Sequence, residues 1–376
     1  MNRVFLKDMA YRKARVVLTA IGVTVLISLI LMLGGIMNGM RIQAKQYVES
    51  TGADIWISAE GSGGAFVGFS LLIPEYLAYL NMEEGLREKS ASPLVFAQAR
   101  PVIHNKQGKA IVVGYQLGKL GGPTRVVEGR LFTPSQFEDY RPEDKPTPEV
   151  VIDEKMNLEI GERISIGGKD LKVVGKVKSL MFVLDTPLLF MDIRTAQDVL
   201  LGNYLHVNMM IAKTAEGHTA EEVAQKLDEQ GSIEARTLKQ TLDDILKTYV
   251  TEPMKAVQFL RVMLWLAAGI IVAMITYVTT LEKTQEIGVL KAIGASNRYV
   301  MSLLLKQVAL MSVVGVMCGV ILSYLFAAAA PIFVAINPVE SGAVALISFI
   351  VCCGGGYLAG RKAATVDPMV AFRGEI

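Results

Sequence analysis

The sequence predicts a membrane protein of four transmembrane α-helices, with a large mixed α/β extracytoplasmic domain inserted between the first and second spans. Hydrophobic residues make up 52% of the 376 residues and mean hydropathy is positive, yet charged residues still reach 20%, the balance of a chain that is part membrane and part soluble. Four apolar runs, 16–37, 262–281, 300–330 and 342–360, each approach or exceed the ~20 residues that a helix needs to cross ~30 Å of hydrocarbon. Between the first two runs the pattern changes to the strand and helix periodicities of a soluble fold. The net charge of +2 is too small to indicate nucleic acid, and no Lys/Arg block interleaves with aromatics, so no nucleic-acid partner is expected. Cys318, Cys352 and Cys353 all lie in apolar runs, so the soluble part must be held by its own core and not by disulfides.

Residues 1–40 hold an amphipathic N-terminal helix and the first transmembrane helix. Val4, Phe5 and Met9 share one helical face, with Lys7, Arg12, Lys13 and Arg15 around the rest, which suits a helix lying in the membrane interface. The apolar run that follows is longer than a secretory h-region and no small-residue cleavage site follows it, so it reads as an uncleaved span. Arg3, Lys7, Arg12, Lys13 and Arg15 precede that span, Lys283, Lys291 and Arg298 lie between the second and third, and Arg361, Lys362 and Arg373 follow the fourth. The connector 331–342 has no Lys or Arg. Both termini are therefore expected to be cytoplasmic, in the inner (plasma) membrane, with 41–255 outside.

Within 41–255, Ala53, Ile55 and Ile57 alternate with Asp54, Trp56 and Ser58, as in a half-buried strand. The glycine-rich 61–68 reads as a mobile loop. Beside it Phe66, Phe69, Leu71 and Leu72 are expected to enter the core, with a lipid or substrate contact as the sharper alternative. Strands are predicted at 95–103 and 110–115 around a turn at 105–108, then at 150–152, 163–166, 171–178 and 207–211. Residues 137–148, rich in proline and acids, read as a surface loop. Thr219 and Glu222 form a capping box for a helix running to Gly231. A second helix is predicted from Thr241, with Leu242, Ile245, Leu246 and Tyr249 on one face and a bend at Pro253. Such a stalk could pass movement between the outer domain and the membrane.

The remaining spans are placed at 256–281, 299–330 and 342–360, with a cytoplasmic tail at 361–376. Ser296 can cap the third, which continues past Phe326 and exceeds the hydrocarbon thickness. Gly35 and Gly39, Gly315 and Gly319, and Gly356 and Gly360 each have the spacing that lets helices approach closely, by default within one protomer. Arg298 and Lys306 are expected at or below the headgroups where the third span projects into the cytoplasm, so no ionisable residue falls inside the apolar part of any span, which argues against a proton-driven pump. No phosphate-loop motif occurs, and His104, His206 and His218 stand apart. No catalytic residue, metal site or cofactor is assigned, and substrate-binding residues are not identifiable.

Between the second and third spans lies a short charged stretch, 282–298. In it Ile287, Leu290 and Ile293 fall at helical spacing, Thr284 can cap the start, Glu286 sits in the first turn and Gly294 stops the helix. A helix this short needs something to dock on.

The string Glu286, Ile287, Gly288, Leu290, Lys291, Ala292, Ile293, Gly294, Ala295 resembles the coupling-helix signature of the MacB/FtsX superfamily of ABC permeases (type VII, mechanotransmission type). GADIWIS after the first span, VEGRLF at 127–132, KVVGKV at 172–177, and the tail with Arg361, Asp367 and Pro368 extend the resemblance, with Phe372 in the place of the usual Leu. The resemblance implies a non-catalytic permease subunit whose coupling helix meets a cytoplasmic ABC ATPase dimer, where ATP and Mg are bound. It also implies a second permease copy in a homodimer, membrane lipid, and a periplasmic adaptor protein as a further partner. Among relatives, the DevC-like arrangement without a fused ATPase fits best. The implied activity is export or extraction of an amphipathic substrate, a lipid, lipopeptide, peptide or drug. The alternatives are an FtsX-like signaller controlling an extracytoplasmic partner such as a cell-wall hydrolase, and a membrane-anchored sensor without any ATPase.

Overall fold

The computed structural model describes residues 13–134, 147–178, 180–202, 205–229 and 231–364. The helix predicted before residue 13, most of the loop 137–148, and Asp367, Pro368 and Phe372 lie outside them. The chain divides into a helical unit, Met1–Gly39 with Met254–Ile376, and a sheet unit, Met40–Pro253.

The first helix, α1 (Lys13–Ser50), supplies residues to both units. The sheet unit continues with β1 (Ile55–Ala59), α2 (Glu75–Leu80), β2 (Ser92–Ala99), β3 (Val102–Ile103), β4 (Lys106–Gln107), β5 (Ala110–Tyr115), β6 (Val126–Gly129) and β7 (Glu149–Asp153). Then come β8 (Arg163–Ile166), β9 (Lys169–Val177), β10 (Met181–Phe182), β11 (Thr186–Asp192), α3 (Ile193–Leu200), β12 (Met209–Ala212), α4 (Ala220–Asp228), β13 (Ile233–Thr237) and α5 (Leu238–Ile245). Among the described residues the strands form one sheet in the order β13-β1-β12-β2-β5-β11-β7-β9-β8-β3-β4, with β10 on β11 and β6 on β9. β5 and β11 pair in parallel, as do β7 and β9, while β2 joins β5 antiparallel.

One face of this sheet is aliphatic. Ile55, Ile57, Val95, Val112, Leu189 and Met191 pack there with Ala196 of α3 and Leu227 of α4. The other is aromatic: Phe96 stacks on Tyr47 of α1 with centroids 5.5 Å apart and meets Phe66 edge-on at 4.8 Å and Phe182 at 5.3 Å. Trp56 joins through Phe66 at 5.1 Å. β1 is therefore buried on both faces, against the half-buried expectation, because Tyr47 of α1, Phe66 of the glycine-rich loop and Phe182 of β10 line the face that Trp56 points to.

Several boundaries differ from the sequence reading. α5 begins at Leu238, where Thr237 and Gln240 form a reciprocal capping box, so Thr241 is a buried helical residue and not a start. The capping box of Thr219 and Glu222 opens α4, which ends at Asp228. β11 and α3 have no counterpart in the sequence reading: Thr186–Asp192 lacks alternation because the strand is covered on both sides, and Asp192 caps α3 by accepting from the Arg194 amide at 3.1 Å. In the glycine-rich loop Phe66 and Leu72 do enter the core, whereas Phe69 is 87% exposed and Leu71 is also exposed.

In the helical unit, α6 (Glu252–Glu282) follows α5 through a π-turn (Leu246–Thr251). Then come α7 (Thr284–Ala292), α8 (Asn297–Ala329) and α9 (Pro338–Ala364). Four helical stretches, Ala20–Ser50, Leu238–Glu282, Asn297–Ala329 and Pro338–Arg361, are long and apolar enough to cross a membrane. Ser296 caps α8 by accepting from the Tyr299 amide, and its 33 residues span about 50 Å. Val23, Ile27 and Ile30 of α1 form a common core with Val272, Val308, Val316, Val344 and Cys352.

Candidate coupling site

The chain leaves α6 at Lys283, whose φ of −94° and ψ of 12° break the helix, and re-enters one at Thr284. Thr284 does not cap it. Its hydroxyl donates back to the Leu281 carbonyl at 2.5 Å, so it secures the end of α6 instead. Glu286 lies in the first turn, where the partial positive charge of the helix end favours a carboxylate.

At the other end the Ala295 amide donates to the Leu290 carbonyl and the Gly294 amide to that of Lys291, both at 2.9 Å. This paired closure needs a left-handed residue at its turn, and Gly294 supplies it with φ +103°. Ser296 caps the next helix two residues on, so the two helices are joined by four residues, 293–296.

The faces of α7 differ from the expectation of one packed stripe through Ile287, Leu290 and Ile293. Gly288 is buried and Ile287, Leu290 and Lys291 are half-buried, but Ile293 is 81% exposed. The outward face is Glu286, Val289, Ala292 and Ile293, with the flanking Ala295 half-buried. Val289, 48% exposed, is not among the motif residues; its spacing of four residues from Ile293 is the signal that places it there. An acidic side chain at the head of two exposed aliphatic residues is a surface that can be bound by another protein.

The paired glycines sit at close approaches within this unit. A Cβ at Gly315 or Gly319 would press on Val23 or Ile27 of α1, and at Gly356 on Val308 of α8. Gly360 faces Met301 and Leu304, whereas Gly35 and Gly39 face the connector residues Val334, Ile336 and Phe333. A further crossing, Gly355 of α9 on the backbone of Gly269, has no matching motif in the sequence. Arg361 closes the fourth candidate span and is exposed.

The structure also buries an ionisable side chain that the sequence reading leaves just outside the apolar run 262–281 of the second span. α6 starts ten residues before Val262, and Arg261 is 5% exposed. Its guanidinium donates to Glu340 of α9 at 2.9 Å and to Gln258 at 3.4 Å, and lies 5.9 Å over the ring of Trp265. Gly34 of α1 leaves room for the pair, since a Cβ there would come within 2.7 Å of the Glu340 carboxylate.

In the sheet unit, the Gly-Arg motif is structural. A Cβ on Gly129 would collide with the Val174 carbonyl, and Arg130 makes a bidentate pair with Glu149 at 2.5 and 2.8 Å. Hydrogen bonding from Arg130 holds the Glu149 carboxyl below its usual range. No group of three or more His, Cys, Asp or Glu able to hold a metal is present among the described residues.

Two family models match this chain: the MacB-like periplasmic core domain over residues 16–230, and the FtsX-like permease C-terminal over 259–368. The chain belongs to the MacB/FtsX family of ABC transporter permeases. It is 28% identical to an ABC transporter permease of Mycobacterium tuberculosis, over 98% of both chains. It is 23% identical to the permease YknZ of Bacillus subtilis, over 99% of this chain and 98% of that one. The macrolide export ATP-binding/permease protein MacB of Acinetobacter baylyi is 23% identical over 98% of this chain and 58% of its own length. The solved periplasmic region of MacB from Actinobacillus actinomycetemcomitans aligns over 53% of this chain and 96% of that one, with 15% identity and a TM-score of 0.37. As a member of this family the chain is a membrane protein with an extracytoplasmic domain, and α7 falls within its FtsX-like part.

Proposed function

We propose that this permease subunit couples ATP hydrolysis by a separate cytoplasmic ATPase to conformational change of its extracytoplasmic domain, exporting or extracting an amphipathic substrate. The observation that carries the reading is the outward face of α7. Glu286, Val289 and Ile293 are exposed, while Gly288 is buried and Ile287, Leu290 and Lys291 are half-buried, so a partner on the outer face would press a helix that is covered on its other side. A partner that is itself cytoplasmic requires both termini and α7 on the inner side, as the basic residues around the spans favour. ATP and Mg belong to that partner, an ATPase dimer. A second permease copy completes a two-fold assembly, and a periplasmic adaptor is the further partner the family implies. Macrolide export, the activity in the name of the Acinetobacter relative, supports an amphipathic cargo.

The test is a mild-detergent pull-down of the tagged chain, comparing wild type with Glu286→Lys and Ile293→Asp and identifying co-eluting proteins by mass spectrometry. An ATPase subunit recovered with wild type and lost from both variants is the expected result. Equal recovery with all three, or no ATPase with any, refutes the coupling role of α7.

A further inference from the structure

The sheet unit contains a contact that links its last helix to an exposed apolar tip. Pro253 lacks the amide that an α-helix would aim at the Tyr249 carbonyl, and the helix takes a π-turn over Leu246–Thr251, with the Glu252 amide bonded back to the Lys247 carbonyl. Tyr249 lies in this turn. Its hydroxyl donates to the Phe66 carbonyl at 2.7 Å, and its ring meets Phe182 edge-on at 5.6 Å.

Phe66 belongs to the loop 61–68, which rests on the same helix. A Cβ on Gly64, where φ is +118°, would lie 3.1 Å from the Asp244 carboxylate of α5. The Gly61 amide donates to Glu234 of β13 at 3.0 Å. Directly after the loop come Phe69, 87% exposed, and the exposed Leu71 and Ile73, while Leu72 is held in the core by its backbone pairing with Val207.

We propose that Tyr249 is a clip through which the register of the π-turn sets the position of the loop 61–68 and its apolar tip at Phe69. A π-turn holds one residue more than the α-helical path. Relaxing it carries each residue on one side about 100° around the axis, which takes the Tyr249 hydroxyl off the Phe66 carbonyl. The element therefore has two discrete arrangements, clipped and released, and it lies in the helix that runs on into α6. The clip stands on this geometry alone; its actuation by a partner's ATP cycle rests on the function proposed above.

The test uses the full chain in nanodiscs with Cys318, Cys352 and Cys353 replaced by alanine and a nitroxide on Phe69→Cys. Spectra are compared for the parent, for Tyr249→Phe, and for deletion of Thr248, which restores the α-helical count. The deletion is expected to give a second, more mobile component, and Tyr249→Phe to populate that component in part. A label on Lys106→Cys, at the opposite end of the sheet order from β13, is expected to stay unchanged. Unchanged Phe69 spectra in Tyr249→Phe, with circular dichroism intact, overturn the clip, and this variant decides alone if the deletion fails to fold. Equal mobilisation of both labels also overturns it, since that reports general loosening. Adding the co-purified ATPase with ATP then separates the two readings: a label that responds to Tyr249→Phe but not to ATP leaves the clip standing and sinks the ATP coupling.

Discussion

Replacing Glu340 with alanine leaves the Arg261 guanidinium inside the helical unit without its carboxylate. The two side chains differ in exposure, 6% for Arg261 and 36% for Glu340, so the two ways of breaking the pair should not cost the same. In Glu340→Ala the buried cation keeps only Gln258 at 3.4 Å and the Trp265 face, and its Nε has no acceptor among the described residues. Removing one partner of a buried pair costs about 3–5 kcal/mol. In Arg261→Met the charge itself is gone, and Glu340 can turn to solvent, so the loss reduces to about 1–2 kcal/mol of hydrogen bonding and cation-π contact. The double variant should then lose only about as much as Arg261→Met, about 2 kcal/mol less than Glu340→Ala alone, a non-additivity of about 3–5 kcal/mol. Thermal unfolding of the detergent-solubilised chain measures this as midpoint shifts, at about 2–4 °C per kcal/mol for a unit of this size. Equal losses in the two single variants, or a double variant worse than either, would refute the argument from asymmetric burial.

Three further outcomes are expected. Gly294→Ala places a Cβ at φ +103° and should strain the end of α7 by about 1–3 kcal/mol, read as lost ATPase recovery in the pull-down with the sheet unit still folded by limited proteolysis. Asp153 is fully buried and accepts from the Lys155 and Leu180 amides at 2.9 and 2.8 Å through its two oxygens; Asp153→Asn turns an NH₂ toward one of these donors and should cost about 1–3 kcal/mol in thermal stability. Because Arg130 lowers the folded pKa of Glu149, that pair stabilises the fold above the ordinary value of 4.5 and loses its contribution as pH falls through the lower folded value. The midpoint difference between wild type and Glu149→Gln should therefore be full at pH 7 and shrink below about pH 4.5; a difference constant with pH would contradict the shift.

What the sequence by itself determines here is local. The stop at Gly294 and the caps at Ser296 and Thr219 follow from residues within a turn or two of one another, and the four apolar helices from runs of apolar residues. The string around Glu286 points to the family to which the chain belongs. What only the tertiary structure decides is which side of each element is covered. Ile293 shares a helical stripe with Ile287 and Leu290, yet it faces outward while burial of α7 centres on Gly288. Trp56 alternates like a wet residue, yet it is buried because Phe66 of the loop after β1, held in place by the distant Tyr249, covers it. Arg261 reads as a flank of its apolar run, and it becomes an internal charge because Glu340, 79 residues away, meets it in the room left by Gly34. Periodicity records which residues share a face. The partner that buries the face comes from elsewhere in the chain, and no local pattern encodes it.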